Sequence, residues 1–192
     1  PENNVFNMQK FADCVHRDIP FIDTILTPND ELPETLPFED EPGPFYLGCD
    51  LGFAQDPSEL VLYRAENYLI TNFARIQLRH VDYALQQHII QLLDSRYRFT
   101  RIGIDTGHSG LAVIHNLCTL GIEWPARIFP VNFGGYIQFN DDTDFLKIPR
   151  STKERLTELL YRRISERSIR FPDIPERALQ YAGHTCYTNP CG

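Results

Sequence analysis

Apolar and polar positions mark out a succession of short elements. Tyr46, Leu47 and Cys49 read as a short buried strand that ends at Asp50, and Gly52 gives the backbone freedom to turn sharply just beyond it. Ser58 to Arg64 and Tyr68 to Ile76, joined by a turn at Glu66-Asn67, extend this strand into an antiparallel meander of three. Asp82 caps a helix whose apolar positions Leu85, Ile89, Leu92 and Leu93 recur at helical spacing. Arg101 to Ile104 form a fourth strand with Asp105 at its end. Gly107 and Gly110 then lead into a helix carrying Leu111, Ile114, Leu117 and Cys118, and Ala126 to Phe133 form a fifth strand. The order is β-β-β-α-β-α-β.

Beyond it, Gly134 to Pro149 reads as a long loop holding Asp141, Asp142 and Asp144, and loops of that length are commonly functional. Ser151 and Glu154 form a capping box for a helix with an apolar stripe of Leu156, Leu159, Leu160 and Ile164, while Lys153, Arg155, Arg162 and Arg163 lie on its other faces. Ser168 to Pro172 reads as an edge strand and Pro175 to Tyr181 as a short helix. At the other end, residues 7–15 hold one possible helix. Residues 27–44 carry five prolines among many acids, the composition of an extended, self-repelling linker, which divides the chain into a linker or extension at 1–44 and a folded domain at 45–192. The linker suggests that a further segment precedes residue 1.

With 192 residues and 42% hydrophobic content, the chain is long enough for one domain with a substantial core. Its formal charge of -8 belongs to residues 1–45 alone, which hold ten acidic and two basic side chains; residues 46–192 hold sixteen of each. Within the neutral part, Lys147 to Arg177 carries nine basic against five acidic residues, a local excess suited either to phosphate or to a solvated mixed-charge face. No apolar run approaches a membrane span and no signal pattern opens the chain, so a cytoplasmic location is expected. The five cysteines lack CxxC spacing and read as reduced thiols, and His184, Cys186 and Cys191 lack a fourth partner for zinc.

Two strand-end acids followed by glycine turns carry the chemistry. Side by side in a sheet, Asp50 and Asp105 are expensive to desolvate unless a cation sits between them, and a divalent metal is the simplest one. Oxygen-only ligands suit Mg²⁺ or Mn²⁺, and a pair of such ions about 3.5–4 Å apart can activate water and stabilise the leaving oxygen of a phosphodiester. Three strands, a helix and an acid-bearing strand is the order of the ribonuclease H-like fold, an α/β fold with a central mixed sheet flanked by helices.

More narrowly, Gly48-Cys49-Asp50-Leu51-Gly52 with Asp56-Pro57-Ser58, then Ile102-Gly103-Ile104-Asp105-Thr106 leading into Gly110-Leu111-Ala112-Val113, resembles the C-terminal nuclease domain of the large terminase subunit of tailed phages. The resemblance covers about residues 45–182. It implies a metal-dependent endonuclease, using two Mg²⁺ or Mn²⁺ ions, that cuts concatemeric double-stranded viral DNA with little sequence specificity in the host cytoplasm. It also implies a terminase ATPase domain, a small terminase subunit and a portal as partners. No ATP-binding loop occurs here, so nuclease and not motor function is expected. By position, Asp50 and Asp105 match the family's first and second metal-binding acids. Asp56 matches an acid that in some members serves the second metal, and it reads equally as a turn former before Pro57. The family's third acid has no match after Tyr181: either it lies beyond residue 192, the favoured reading, which predicts weak metal affinity and little cutting by this fragment, or Asp141, Asp142 or Asp144 substitutes.

Arg150, Lys153, Arg162 and Arg163, with the 134–149 loop, are expected to touch the DNA backbone, and His108 is either a phosphate contact or a polar residue at the start of a helix. Two other readings remain. Asp-Leu-Gly and Asp-Thr-Gly are also phosphate-loop patterns of actin-like and sugar-kinase folds, although Asp56-Pro57 interrupts the hairpin those need. A Holliday-junction resolvase shares the ribonuclease H-like fold.

Overall fold

The computed structural model describes residues 7–52, 56–107, 110–121, 124–137 and 150–174. The order is α1 (Met8–Ala12), β1 (Val15–His16), β2 (Ile22–Leu26), β3 (Phe45–Asp50), β4 (Ser58–Glu66), β5 (Leu69–Leu78), α2 (Tyr83–Tyr97), β6 (Arg101–Asp105), α3 (Gly110–Thr119), α4 (Trp124–Arg127), β7 (Ile128–Val131), β8 (Tyr136–Ile137), β9 (Arg150–Ser151), α5 (Thr152–Ser165) and β10 (Ile169–Pro172). Eight strands form a mixed sheet in the order β1-β10-β5-β4-β3-β6-β7, with β2 also paired to β5. The β3–β4–β5 meander is antiparallel, whereas β6 lies parallel to β3 and β7 parallel to β6. β8 and β9 form a separate antiparallel pair.

Strand alternation divides the sheet into two faces. Phe45, Leu47, Cys49, Leu60, Leu62, Ile102 and Ile104 point to one side, where Ile89, Ile90 and Leu93 of α2 and Val113 and Leu117 of α3 complete the main core. On the other face, Ile70 stands opposite Ala65, which has the same parity along β4 as Glu59 and Val61. Ile70 and Leu160 pack with a satellite cluster of Phe11, Cys14, Ile164, Ile169 and Phe171. Helices α1 and α5 therefore cover one end of the second face, and its other end carries the strand-end acids.

Several local expectations are corrected. Tyr46 faces away from the main core and Phe45 enters it; Leu92 and Leu111 are exposed, the stripes being carried by Ile90, Leu93 and Tyr97 in α2 and by Val113 and Leu117 in α3. The expected strand at 126–133 begins with one helical turn, so that only Ile128–Val131 pairs with β6. The helix expected over residues 7–15 ends at Ala12, and Val15 joins β1. In α5, Arg155 is buried and holds Glu158 at 3.0 Å instead of facing solvent. The short helix expected at 175–181 lies outside the described residues.

The largest difference is at residues 22–44. Ile22–Leu26 runs parallel to β5 as a full strand, Leu36 is buried in the main core and Phe38 packs against Phe73 edge-on. Tyr97 donates its hydroxyl to the Pro37 carbonyl at 2.7 Å, and Arg96 bonds the Pro33 carbonyl and the Glu39 carboxylate. This segment is a strap over α2 and not a free linker. Its acids do not repel one another apart because arginines of the folded part partner them: Arg96 with Glu39, Arg64 with Glu41, Arg75 with Asp23.

Candidate active site

Cys49 pairs with Ile104 in the parallel β3–β6 register, so the next residues, Asp50 and Asp105, end neighbouring strands about 4.8 Å apart. Both belong to the second face, Asp50 exposed and Asp105 half-buried. Gly48 and Gly103 are also paired on this face, and a Cβ on either would meet nothing nearer than 3.8 Å. The sheet surface in front of the acids is therefore bare backbone.

Each acid is fixed by a turn that needs glycine for room. At Gly110 a Cβ would stand 1.6 Å from the Asp105 carbonyl oxygen, so only glycine lets α3 start against that strand end. The Gly107 amide donates to Asp105 Oδ1 at 3.0 Å and orients its carboxylate. At Gly52 a Cβ would stand 2.3 Å from the Asp56 carbonyl oxygen. No described glycine has positive φ, so Gly52 serves close approach of the chain and not an unusual dihedral. The buried Ser58 hydroxyl accepts from the Gly52 amide at 3.0 Å and lies 3.3 Å from its carbonyl, and the buried Gln86 amide donates to that same carbonyl at 3.1 Å. Asp56 thus sits exposed on a turn folded back over Gly52.

Glu59 stands directly opposite Asp50 in the β3–β4 register. Its oxygens are taken by Arg75 (Nε 2.8 Å, Nη2 2.7 Å) and by Gln77 (2.6 Å), and Arg75 also reaches Asp23. Among the described residues neither Asp50 nor Asp105 has such a partner. Burial pushes the Asp50 carboxyl above the usual range, and the charges of Asp105 and then Glu59 push it further. Two oxygen donors that repel each other and lack a counter-ion fit a hard divalent cation. Among the described residues, no group of three or more His, Cys, Asp or Glu is placed to hold a metal ion, so neither Glu59 nor Asp56 completes a three-acid set with Asp50 and Asp105. Asp141, Asp142, Asp144, His108, His184, Cys186 and Cys191 lie outside the described residues. Cys14 and Cys49 are buried free thiols.

The expected basic contacts are split. The Thr152 amide donates to the Gly135 carbonyl at 2.9 Å, which ties the start of α5, with exposed Lys153, to the chain just after β7. Of Arg150 only the backbone, paired with Ile137, is described. At the other end of α5, Arg163 reaches the Tyr68 carbonyl at 3.5 Å, in the β4–β5 turn. From Glu59, beside Asp50, to Glu66, beside that turn, is seven residues of β4, or about 23 Å. Arg162 and Arg163 are therefore remote from the acids. A basic residue that sequence reasoning missed, Arg79, lies at the acid end, because Leu78 before it pairs with Ser58. Its signal, two positions beyond Gln77 on the same strand parity, becomes visible only once the register is known.

By sequence alone, no family model and no curated protein matches the chain. Solved structures do. The large terminase nuclease from thermophilic phage G20c with bound magnesium superposes with a TM-score of 0.67 at 17% identity, covering 99% of this chain and 85% of that one. The zinc-bound form of the same nuclease gives 0.62 at 15%, covering 97% and 91%. The large terminase of a second thermophilic bacteriophage gives 0.57 at 13%, with 96% of this chain matching 38% of that one. The chain has the fold of these nucleases, a mixed sheet flanked by helices.

Proposed function

We propose that this chain is the nuclease domain of a viral DNA-packaging terminase: a metal-dependent endonuclease that cuts concatemeric double-stranded DNA with little sequence preference. The observation that carries the reading is the apposition of Asp50 and Asp105 on neighbouring parallel strands with no counter-charge among the described residues. The likeness to the G20c nuclease, solved with magnesium, zinc and cobalt, supports it.

In this reading Asp50 and Asp105 hold two Mg²⁺ or Mn²⁺ ions, which supply an activated water and charge neutralisation at the scissile phosphate. Asp56, which does not gather with Asp50 and Asp105, acts in this reading as the turn former before Pro57, and the Gly52–Ser58–Gln86 hydrogen bonds hold the chain at the start of that turn. The Gly107 amide keeps one Asp105 oxygen oriented. Glu59, saturated by Arg75 and Gln77, adds negative field at Asp50 without being a ligand. A third acid is contributed from outside the described residues, and Asp141, Asp142 and Asp144 are this chain's candidates for it. The bare Gly48–Gly103 surface lets the DNA backbone come close to the sheet.

Arg150 and Lys153 contact the DNA backbone near the cut, whereas Arg162 and Arg163 touch only duplex that runs on past the Tyr68 turn. Charge reversal at Arg162 and Arg163 should then weaken binding of long duplexes more than short ones; equal binding by wild type and variant at every length removes them from the interface. An ATPase domain, a small terminase subunit and a portal are the expected partners in the host cytoplasm. Among the described residues, no helix is long and apolar enough to cross a membrane.

The test is conversion of supercoiled plasmid in Mn²⁺ or Mg²⁺ by wild type, Asp50→Asn and Asp105→Asn. Nicking and linearisation lost in both variants support the reading, while cutting that survives either substitution refutes the assignment. A four-way junction offered beside linear duplex separates a resolvase of the same fold: strong preference for the junction would displace the terminase reading.

A further inference from the structure

Two arginines lie along one row of the second face, and their surroundings differ. Arg75 is spent: Nε and Nη2 bond Glu59 and Nη1 bonds Asp23. Arg79 has no acidic partner among the described residues. Its Nε donates to Gln77 Oε1 at 2.6 Å, its main-chain amide is tied to the Leu26 carbonyl at 2.8 Å, and its side chain is exposed. Among the described residues its two terminal nitrogens have no partner.

Gln77 makes this a built arrangement and not a stray surface cation. It is 8% exposed, and its Nε2 donates to Glu59 Oε1 at 2.6 Å while its Oε1 accepts from Arg79. An amide can satisfy a carboxylate and a guanidinium at once in one orientation only, with oxygen toward the cation. Glu59, locked by Arg75 beside Asp50, therefore fixes Gln77, and Gln77 fixes the stem of Arg79. Four N–H donors are left facing solvent at the acid end of the sheet. Counting two strands across and two residues along, Arg79 stands about 12 Å from Asp50. That is the span of a short run of phosphates along one duplex strand.

We propose that Arg79 binds a backbone phosphate of the DNA a few nucleotides from the bond cut at Asp50 and Asp105, with Gln77 as its positioning residue. A guanidinium suits this task because its planar fork meets two phosphate oxygens at once and stays charged. The proposal rests on the nuclease reading for its substrate.

The experiment pairs duplex binding in EDTA, over a series of salt concentrations, with plasmid cutting over a series of DNA concentrations, for wild type, Arg79→Ala and Arg79→Lys. Arg79→Ala should flatten the slope of log K against log salt by about 0.9, the contribution of one phosphate. Its cutting should fall at low DNA concentration and recover at saturation. Arg79→Lys should keep the slope while binding more weakly. An unchanged slope, or a loss of cutting that saturating DNA does not restore, overturns the proposal, as does a wild type that binds no duplex. A protein that shows the Arg79-dependent slope, cuts nothing and gains no thermal stability from Mn²⁺ through Asp105 would refute the nuclease reading and leave this contact standing. One that cuts with no dependence on Arg79 would do the reverse.

Discussion

Two carboxylate sites at the margins of the same sheet have been built in opposite ways. Asp94, near the end of α2, is buried, held by Arg127 at 2.7 and 2.9 Å, and accepts the Phe99 amide at 3.0 Å. Every charge there is answered, and the site joins α2 to the turns leading into β6 and β7. Asp50 and Asp105 are instead set side by side, with nothing cationic among the described residues to answer them. Arginine is available close by but is directed to Glu59 and Asp23. A paired acid serves the fold; an acid pair left unanswered at the end of a sheet is a cost that a ligand must remove.

That contrast can be broken in order of effect. Asp50→Asn and Asp105→Asn should each cut plasmid about a thousandfold more slowly or worse, the loss of several kcal/mol of charge stabilisation, with thermal stability in metal-free buffer equal to or above wild type. A marked fall in melting temperature would put these acids in the same class as Asp94. Asp94→Ala should do the opposite: leave half-buried Arg127 without its partner and lower the unfolding free energy by about 3 kcal/mol in denaturant titration, with cutting lost only as far as folding is.

Gly110→Ala lies between the two sites in kind, because its added carbon would stand 1.6 Å from the Asp105 carbonyl oxygen. It should cost about 1–3 kcal/mol and also displace Asp105, so that cutting falls further than the unfolded fraction explains. Normal cutting per folded molecule would show that the turn only shapes the fold.

Divalent metal sharpens the comparison. Mn²⁺ at about a hundred times its dissociation constant should stabilise wild type by about 2.7 kcal/mol and leave Asp105→Asn unmoved.

The smallest effect is in pH. Asp50 holds its proton to higher pH in the folded protein than in the unfolded chain. The folded state thus binds more protons in the window just above the ordinary Asp range, near pH 4, and stability falls as pH rises through it. Metal-free unfolding curves of Asp50→Asn should lack that component, and an unchanged pH profile would show that neither burial nor the neighbouring acids raise Asp50.

How much of this was legible in the chain follows from the range of the forces involved. Strand ends marked by an acid and a glycine, the capping box at Ser151 and Glu154, and the order of the central elements are set within a few residues, and these carried both the fold and the metal-site candidates. The acidic strap reads as a linker because its composition is that of one, while what holds it, Tyr97 on Pro37 and Arg96 on Glu39, lies about sixty residues away. Helix faces were displaced by a position or so for the same reason, since Leu92 and Ile90 are equally apolar and only packing chooses between them.

By itself, then, the sequence determined which residues are chemically apt: Asp50, Asp105 and the glycines in the turns that follow them. Tertiary structure decided which of them meet. Strand register put Asp50 beside Asp105 and Glu59, pairing with Arg75 and Gln77 occupied the Glu59 oxygens, and the run of α5 carried Arg163 to the β4–β5 turn, at the far end of β4 from the acids. The same register left Arg79 at the acid end with its charge unspent. Charge acts through space, and only the folded chain fixes the distances over which it acts.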